Sequence, residues 1–416
     1  MTAAASARIH NLSAGRASPP GAPQSPTTRA LHLSTPPTSS AKTGWISLKF
    51  TVSRETFLAQ LSVVARGAST RSAIQTLAGV LIRLEDGRAE LHATDTDLGI
   101  RAGLEVELPA DGAVVVPGRL LLDVARSLPK DSLSVEYRAS KQDVEVISGS
   151  ASFHLRTLPL EDFPKLPEPD AANALSVPAA AFIETVGRVA RSASRDETRP
   201  HLTGVLVTAE RDQLRMVATD SYRLSVKETK LDQPLAGVLE ANVPARTLQE
   251  LSRIAAANGA ETIDVTALDN KVVFNAGDVV LSSRLVEGRF PNYQQLLPEA
   301  YEHELRVERG ELLEVVRRIS LLAQKNAPLR LSFTEGALEV SAQTPDVGEA
   351  SESLPVPFKG EPLEIGFNPE FFRDGLESAE TEELVLKLIS PLRPGLIQSG
   401  DDGGFIYLVM PIRLNV

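Results

Sequence analysis

The sequence predicts an α+β protein built from three copies of one domain, each with two helices and several antiparallel strands. The first observation behind this is a repeated pair of landmarks. Leu77-Ala-Gly-Val-Leu-Ile82 is followed by His92-Ala-Thr-Asp-Thr-Asp-Leu98, and Leu202-Thr-Gly-Val-Leu-Val207 by Val217-Ala-Thr-Asp-Ser-Tyr-Arg-Leu224. Leu77 and Leu202 lie 125 positions apart (202 − 77), as do Thr94 and Thr219 (219 − 94). Two landmarks repeated at one spacing mark a chain made of copies. The second observation is that each copy carries two stretches of helical periodicity among short runs of alternating apolar residues. Helices mixed with strands in this way are an α+β arrangement.

Composition bounds the rest. The 416 residues suit two to four domains. Hydrophobic residues make up 42% and charged residues 23%, which is ordinary for a soluble protein. No apolar run approaches the ~18 residues of a membrane span. There is no cysteine, so disulfides and thiolate metal sites are excluded. The net charge of −11 argues against coating a nucleic acid through bulk positive charge, but not against a basic surface on one face. Residues 1–46 are rich in Ala, Ser, Thr and Pro, and their only charges are Arg8, Arg16, Arg29 and Lys42. They are expected to be a disordered tail, with an organelle transit peptide as the alternative.

The first copy is assigned to 47–170. Ser53 is placed as the cap of a helix over 53–66, with Phe57, Leu61 and Val64 on one face. Glu85-Asp-Gly-Arg88 is read as a hairpin turn. A second helix over 118–128 follows Val116-Pro117, then strands at 133–138 and 143–147, and the copy closes on Phe153 and Asp162-Phe-Pro164. The second copy, 171–300, repeats the order. Its helices are 177–191 and 243–253, each led by Val-Pro, and it closes on Gly288-Arg-Phe-Pro-Asn-Tyr293. The third copy, 301–416, is more diverged, with helices over 307–319 and 368–376, a strand over 338–344, Gly400–Gly404 as a turn, and a terminal strand from Phe405.

Basic residues gather on the helices. Arg119 and Arg126 are seven apart in the first copy, and Arg246 and Arg253 are seven apart in the second. Seven residues is two helical turns, so each pair shares a face. Arg188, Arg191 and Arg195 also share one, and the third copy offers Arg317, Arg318 and Lys325. Acids are read as falling more in turns, strands and loops, including the run from Glu377 to Glu383. A basic helical layer inside an acidic protein suits a molecule that surrounds a polyanion. Copies often close into rings through two-fold dimers. Two helices per copy, three copies and two subunits give twelve helices. At ~9.5 Å between axes they close a circle of roughly 18 Å radius, and subtracting about 5 Å for helix half-thickness leaves a hole ~26 Å wide. Duplex DNA, on the order of 20 Å across, fits loosely, which suits sliding.

At residues 47–416 the chain resembles the bacterial DNA polymerase III beta subunit family of replicative sliding clamps. The resemblance rests on Lys49-Phe-Thr-Val52, Ala218-Thr-Asp220 with Arg223-Leu224, Gly288–Tyr293, and Met410-Pro-Ile-Arg-Leu414. It implies a homodimeric ring of six similar domains that encircles duplex DNA without reading its sequence, holds polymerase for processive synthesis and is placed by a clamp loader. It implies a cytoplasmic, non-catalytic subunit with no cofactor and no metal. Its implied partners are the polymerase III alpha subunit, the clamp loader complex, other DNA polymerases and repair proteins, and a second copy of itself. By similarity a partner-peptide pocket comprises Leu202, Thr219, Ser221, Tyr222, Arg223, Leu224, Pro291, Leu296, Pro394, Leu408, Val409, Met410, Pro411, Ile412, Arg413 and Leu414. The residues agree, because Leu202, Leu224, Leu296 and Met410 would make an apolar slot rimmed by polar groups. DNA contact falls on Arg71, Arg199 and the helix arginines, and the apolar dimer contact on Phe153 and Leu155 facing Leu321 and Leu322 of a second copy. Gln295 stands where some members of the family carry Arg, and Ser221-Tyr222 differs from the Gly-His of others. Three other readings compete. An enzyme would need more than Thr94-Asp-Thr-Asp97, since the six histidines show no ligand spacing and no phosphate loop is present. A duplicated clamp conferring antibiotic resistance would share fold and sites. A scaffold that never meets DNA would share only the repeats.

Overall fold

The computed structural model describes residues 8–11, 48–69, 71–323, 327–400 and 404–414. Lys325, most of the N-terminal tail and the centre of the 400–404 turn lie outside them. The chain forms two compact units, Asn11–Lys165 and Leu166–Val416 with Met1–His10. Within the stretch expected to stay unfolded, Arg8–Asn11 is a short strand, β1, at the edge of a sheet next to β15 (Gly237–Pro244).

Each copy turns out to be two half-copies of the form strand, helix, strand, strand, strand. In the second copy the first half is β11 (Leu175–Pro178), α3 (Ala179–Val189), β12 (Gly204–Glu210), β13 (Gln213–Thr219) and β14 (Arg223–Lys230). The second half is β15, α4 (Ala245–Asn258), β16 (Thr262–Ala267), β17 (Lys271–Ala276) and β18 (Val279–Arg284). The halves exchange their first strands: β15 pairs with β12, and β11 with β16. The third copy repeats this with β19 (His303–Glu308), α5 (Arg309–Ile319), β20 (Leu329–Thr334), β21 (Ala337–Thr344), β22 (Gly348–Pro355), β23 (Leu363–Phe367), α6 (Pro369–Ser378), β24 (Glu383–Leu388), β25 (Gly395–Ser399) and β26 (Phe405–Val409). Again the first strands swap, β23 onto β20 and β19 onto β24. A last short strand, β27 (Pro411–Ile412), adds to β23.

The N-terminal unit follows the same plan. It comprises β2 (Lys49–Ser53), α1 (Arg54–Val64), β3 (Gly79–Glu85), β4 (Arg88–Thr94), β5 (Leu98–Leu104), then β7 (Gly112–Pro117), α2 (Gly118–Ser127), β8 (Ser132–Arg138), β9 (Asp143–Ser148) and β10 (Ala151–Arg156), with an extra strand β6 (Glu107–Ala110) on β2. Its strands order as β5-β4-β3-β7 and β10-β9-β8-β2-β6.

Local chemistry explains the boundaries. The Ser53 hydroxyl accepts from the Thr56 amide at 3.0 Å, capping α1 as expected. Asp86 and Gly87 take φ 52° and 78° between β3 and β4, the left-handed pair a two-residue hairpin requires. The Val-Pro pairs expected inside the second copy's helices are instead the ends of β11 and β15, and Pro178 and Pro244 are the capping residues of α3 and α4. Branched Val favours the strand and Pro suits the turn into a helix. Asn368 does the same work for α6 with its side chain, accepting from Glu370 and Phe371 amides at 2.9 and 3.1 Å.

Copies two and three share one sheet. β14 pairs antiparallel with β26, with Leu224 opposite Leu408 and Arg223 opposite Val409, so β15-β12-β13-β14-β26-β25-β24-β19 run continuously. Val217, Leu224, Val226, Leu396 and Leu408 form a buried cluster across this joint, covered by Phe290, Tyr293, Leu297 and Tyr301 from the connecting segment. A larger core fills the third copy between its sheets and α5 and α6. Among the strands at sheet edges are β10 and β22. They are the last strand of a second half and the last strand of a first half, the same two kinds that join as β26 and β14.

Candidate functional site

The Thr219–Leu224 loop sits at the joint. Thr219 Oγ1 donates to the Arg223 carbonyl at 2.7 Å, and Asp220 Oδ1 accepts from the amides of Tyr222 and Arg223 at 2.9 and 3.0 Å. This closed loop holds Ser221 at φ 79° and leaves the Tyr222 side chain 59% exposed. The Met410 amide donates to the Tyr222 carbonyl at 2.8 Å, tying the end of the third copy to the loop.

Arg223 is the hub. Its side chain is only 7% exposed, yet every direction finds a partner. Nε donates to Asp220 at 3.1 Å, Nη1 to Asp374 of α6 at 2.5 Å, and Nη2 to the Arg191 carbonyl at 2.8 Å. The guanidinium lies 4.3 Å from the Phe371 ring centroid, a cation–π distance. Burial opposes its charge, but Tyr407 and Asp374 outweigh that and push its pKa upward. Burial in turn pushes the Tyr407 hydroxyl far above its ordinary range, so it remains a neutral donor to the Phe371 carbonyl at 2.7 Å. Gly375 makes room for that ring, since a Cβ there would meet Tyr407 at 2.6 Å.

The apolar residues assigned to the pocket divide into floor and rim. Leu202, Leu224, Leu408 and Val409 are buried, whereas Leu296 is 49% and Met410 41% exposed. The sequence treated the slot's three leucines and one methionine alike, but Leu224 belongs to the joint's core. Pro291, Pro394, Pro411, Ile412 and Leu414 are half-buried, and Ser221 and Arg413 exposed. Pro411 and Ile412 pair with Phe367 and Gly366. A Cβ on Gly366 would meet Leu414 at 2.7 Å, so that glycine seats the terminal leucine. A polar groove of about 1120 Å³ lined by β20, β21 and β22 takes in only Ile412, Arg413 and Leu414 from this set.

A second charged cluster crosses the same joint. Lys227, 6% exposed, lies 3.0 Å from Glu380 and 3.6 Å from Glu184, and Arg188 lies 3.2 Å from Glu380. Glu184 Oε1 is buried with no hydrogen-bond partner. Burial, with the Glu380 carboxyl beside it, pushes the Glu184 pKa up to about 7.

The arginines assigned to DNA contact occupy varied settings, and Arg188, Arg191 and Arg195 do not share one helix face as expected: α3 ends at Val189, Arg191 lies in a separate short turn and Arg195 in the loop beyond it. Arg71, Arg119, Arg126, Arg195, Arg246 and Arg253 are exposed. Arg126 lies 3.8 Å from Asp123 and Arg253 3.2 Å from Glu250. Arg199 donates to Asp196 and, at 3.1 Å, to the Ser221 hydroxyl. Arg318 pairs with Glu352 at 2.7 Å. Arg188, Arg191 and Arg317 all meet acids of the α6 region: Glu380, Asp374 and Glu377. The expectation that acids belong to strands and loops therefore fails at α6, where Asp374 and Glu377 are helical. Phe371, Asp374 and Glu377 were missed because nothing in sequence pairs the third copy's second helix with the second copy's arginines. Of the four apolar residues assigned to self-association, Leu155 is 4% exposed and faces its own core, so it offers no surface. Leu321 is 80% exposed, and Phe153 and Leu322 are half-buried.

No helix among the described residues is long and apolar enough to cross a membrane. Among them, no group of three or more His, Asp or Glu is placed to hold a metal ion.

Comparison with known proteins gives one answer over the whole folded length. Residues 48–167, 176–292 and 294–413 match the N-terminal, central and C-terminal domains of the DNA polymerase III beta subunit. A beta sliding clamp of Streptomyces coelicolor is 32% identical over 380 residues, covering 88% of this chain and all of the relative. One from Synechococcus elongatus is 35% identical over 365 residues, covering 85% of this chain and 96% of the relative. A crystal structure of a Pseudomonas aeruginosa sliding clamp bound to griselimycin superposes with a TM-score of 0.82 at 28% identity, covering 88% of this chain and all of that one. With three successive domain matches on a fold of three duplicated copies, the chain belongs to the DNA polymerase III beta subunit family, the sliding clamps that act as replicative processivity factors.

Proposed function

We propose that two copies of this chain close head to tail into a ring around duplex DNA and slide on it, acting in the cytoplasm as a non-catalytic tether. The observation that carries this is the pair of sheet edges. β14 and β26 already join two copies within one chain, and β10 and β22, the corresponding strands elsewhere, pair only with β9 and β21 and so each keep one open edge. Exposed edges invite pairing, and two such joints related by a two-fold axis close a ring. Phe153, Leu321 and Leu322 would pack beside them. Arg71, Arg119, Arg126, Arg188, Arg191, Arg195, Arg199, Arg246, Arg253 and Arg317 would meet phosphates without reading bases.

The loop at the β14–β26 joint is the proposed partner site. Tyr222, Leu296 and Met410 offer exposed apolar surface beside the Arg223 hub, with Thr219, Ser221, Pro291, Pro394 and the 408–414 strand around them. Such an apolar slot with a polar rim suits a short peptide anchored by hydrophobic side chains. The polymerase III alpha subunit, the clamp loader complex, other polymerases and repair proteins are the partners this reading implies.

The test is topological. Loaded with a clamp loader, the protein should stay on nicked circular DNA through a high-salt wash and leave when the circle is cut. Phosphate contacts alone lose affinity steeply with salt. Loss from intact circles at the same salt as from linear DNA would sink the encirclement reading.

A further inference from the structure

Three guanidinium groups from three different elements converge on one carboxylate. Glu377 of α6 lies 3.0 Å from Arg191 Nη1, 3.1 Å from Arg317 Nη2 and 3.9 Å from Arg373 Nε. Arg191 leaves the short turn after α3, Arg317 the last turn of α5, and Arg373 α6 itself. Such a fork of planar donors is the arrangement that holds phosphate or carboxylate oxygens.

The cluster is not a buried brace. Arg191, Arg317 and Arg373 keep side-chain exposures of 39%, 47% and 39%, and Glu377 is 27% exposed. Two other carboxylates touch single members of the cluster: Asp374, shared by the buried Arg223 and by Arg191 at 3.5 Å, and Glu314, 2.9 Å from Arg317. Glu377 alone lies within 4 Å of all three arginines. Burial works against its charge, but the hydrogen bonds from Arg317 and Arg191 outweigh that and hold its pKa below the ordinary range, so it is an anion at neutral pH.

We infer that Arg191, Arg317 and Arg373 form a phosphodiester-binding cup whose vacant state is filled by the chain's own Glu377. The inference rests on the reading of this chain as a DNA-encircling protein. A passing backbone phosphate would exchange with the Glu377 carboxylate rather than meet bare guanidiniums. Exchange of one anion for another changes little net energy, which keeps contact with DNA weak and transient.

The experiment compares the full-length protein with Glu377→Gln, which keeps the shape and removes the charge. Glu364→Gln is the control for net charge, since Glu364 on β23 pairs with Arg330 on the adjacent strand β20 and with none of the three arginines. The probes are a labelled random-sequence duplex over a salt series, inorganic phosphate against chloride at equal ionic strength, and retention on nicked circles. Glu377→Gln should bind the duplex roughly 3- to 10-fold more tightly at low salt. Its salt dependence should steepen by about 0.9 for each phosphate newly held. Adding Arg317→Ala should cancel the gain, and Glu364→Gln should show none of it. Unchanged duplex affinity and slope, with only a lowered melting midpoint, would mean that Glu377 is a structural brace and overturn the proposal. A melting midpoint raised by inorganic phosphate with no gain on duplex would overturn the DNA assignment in favour of a free-phosphate site. Circles that retain both proteins equally, with equal duplex binding, sink this inference alone; circles that retain neither sink the encirclement reading as well.

Discussion

Thr94–Leu98 in the first copy and Thr219–Arg223 in the second are one loop built twice. In each the threonine hydroxyl donates to the carbonyl four residues on, at 2.9 and 2.7 Å. In each the aspartate Oδ1 accepts from the amides two and three residues ahead, at 3.1 and 2.7 Å for Asp95 and 2.9 and 3.0 Å for Asp220. In each the third residue takes a left-handed φ, 83° at Thr96 and 79° at Ser221. The difference lies in the last two positions. The first copy has Asp97 and Leu98, and Leu98 is simply buried at 4% exposure. The second has Tyr222, which projects, and Arg223, which staples the third copy. Thr and Asp fix a backbone shape, and the role is decided by the two side chains mounted on it.

The sharpest way to break that contrast is to make the second loop like the first. Arg223→Leu removes the cation that Asp220 and Asp374 share. Two poorly solvated carboxylates are left behind, so the loss should be about 3–5 kcal/mol. Denaturant unfolding should show it, and an isolated partner peptide should bind more than tenfold more weakly. If stability falls by less than ~1 kcal/mol, Arg223 is not the staple. The aspartates give the next comparison. Asp95→Ala loses two loop hydrogen bonds, one of them part-buried, and should cost about 1–2 kcal/mol. Asp220→Ala loses the same two and also unbalances Arg223, so it should cost measurably more. Equal costs would mean that the loop is only a scaffold in both copies.

Much of this contrast was legible before any coordinates. The 125-residue spacing located both loops, and the caps and hairpin turns placed the helices to within a few residues. Ser53 is such a case, because a cap acts on its own neighbours. What sequence left hidden was non-local. The duplication within each copy was not read because first strands pair across halves, as β15 does with β12, and no local pattern records a partner. Leu224 and Leu296 look alike in a sequence, yet one is 1% and the other 49% exposed. Glu377 reads as part of an acidic loop run, and Asp374 draws no notice, until α6 is placed against Arg191 and Arg223.

The second copy's other charged contact predicts a pH dependence. Glu184 has a pKa raised from 4.5 to about 7, through burial and the Glu380 carboxyl. A carboxyl with a raised folded pKa binds its proton more tightly when folded. Its contribution is therefore intact below about 4.5 and is lost as pH rises toward 7 and beyond. Glu184→Gln cannot ionise, so its stability relative to the parent should climb between pH 5 and pH 8. The side chain is 36% exposed, and solvent screening limits the change to about 1 kcal/mol. Urea unfolding at the two pH values measures it. A difference that stays flat with pH would show that Lys227 and Arg188 hold Glu184 ionised throughout.

The smallest effect tests the scaffold itself. Thr96 and Ser221 both sit in the left-handed region, where a branched residue is more strained than serine. Glycine relieves that strain but adds freedom to the unfolded chain, which offsets about 0.4–1 kcal/mol of the gain. For Thr96→Gly the relief is larger, so the variant should be slightly more stable, by up to about 1 kcal/mol. Ser221→Gly gains less relief and also loses the hydroxyl that accepts from Arg199 at 3.1 Å, so it should be neutral or slightly destabilised. A melting comparison of the two variants reads this as opposite shifts of a few degrees or less. Were Ser221→Gly the more stabilising of the two, the Arg199 bond would contribute nothing, and the two loops would differ only in what they carry at positions 222 and 223.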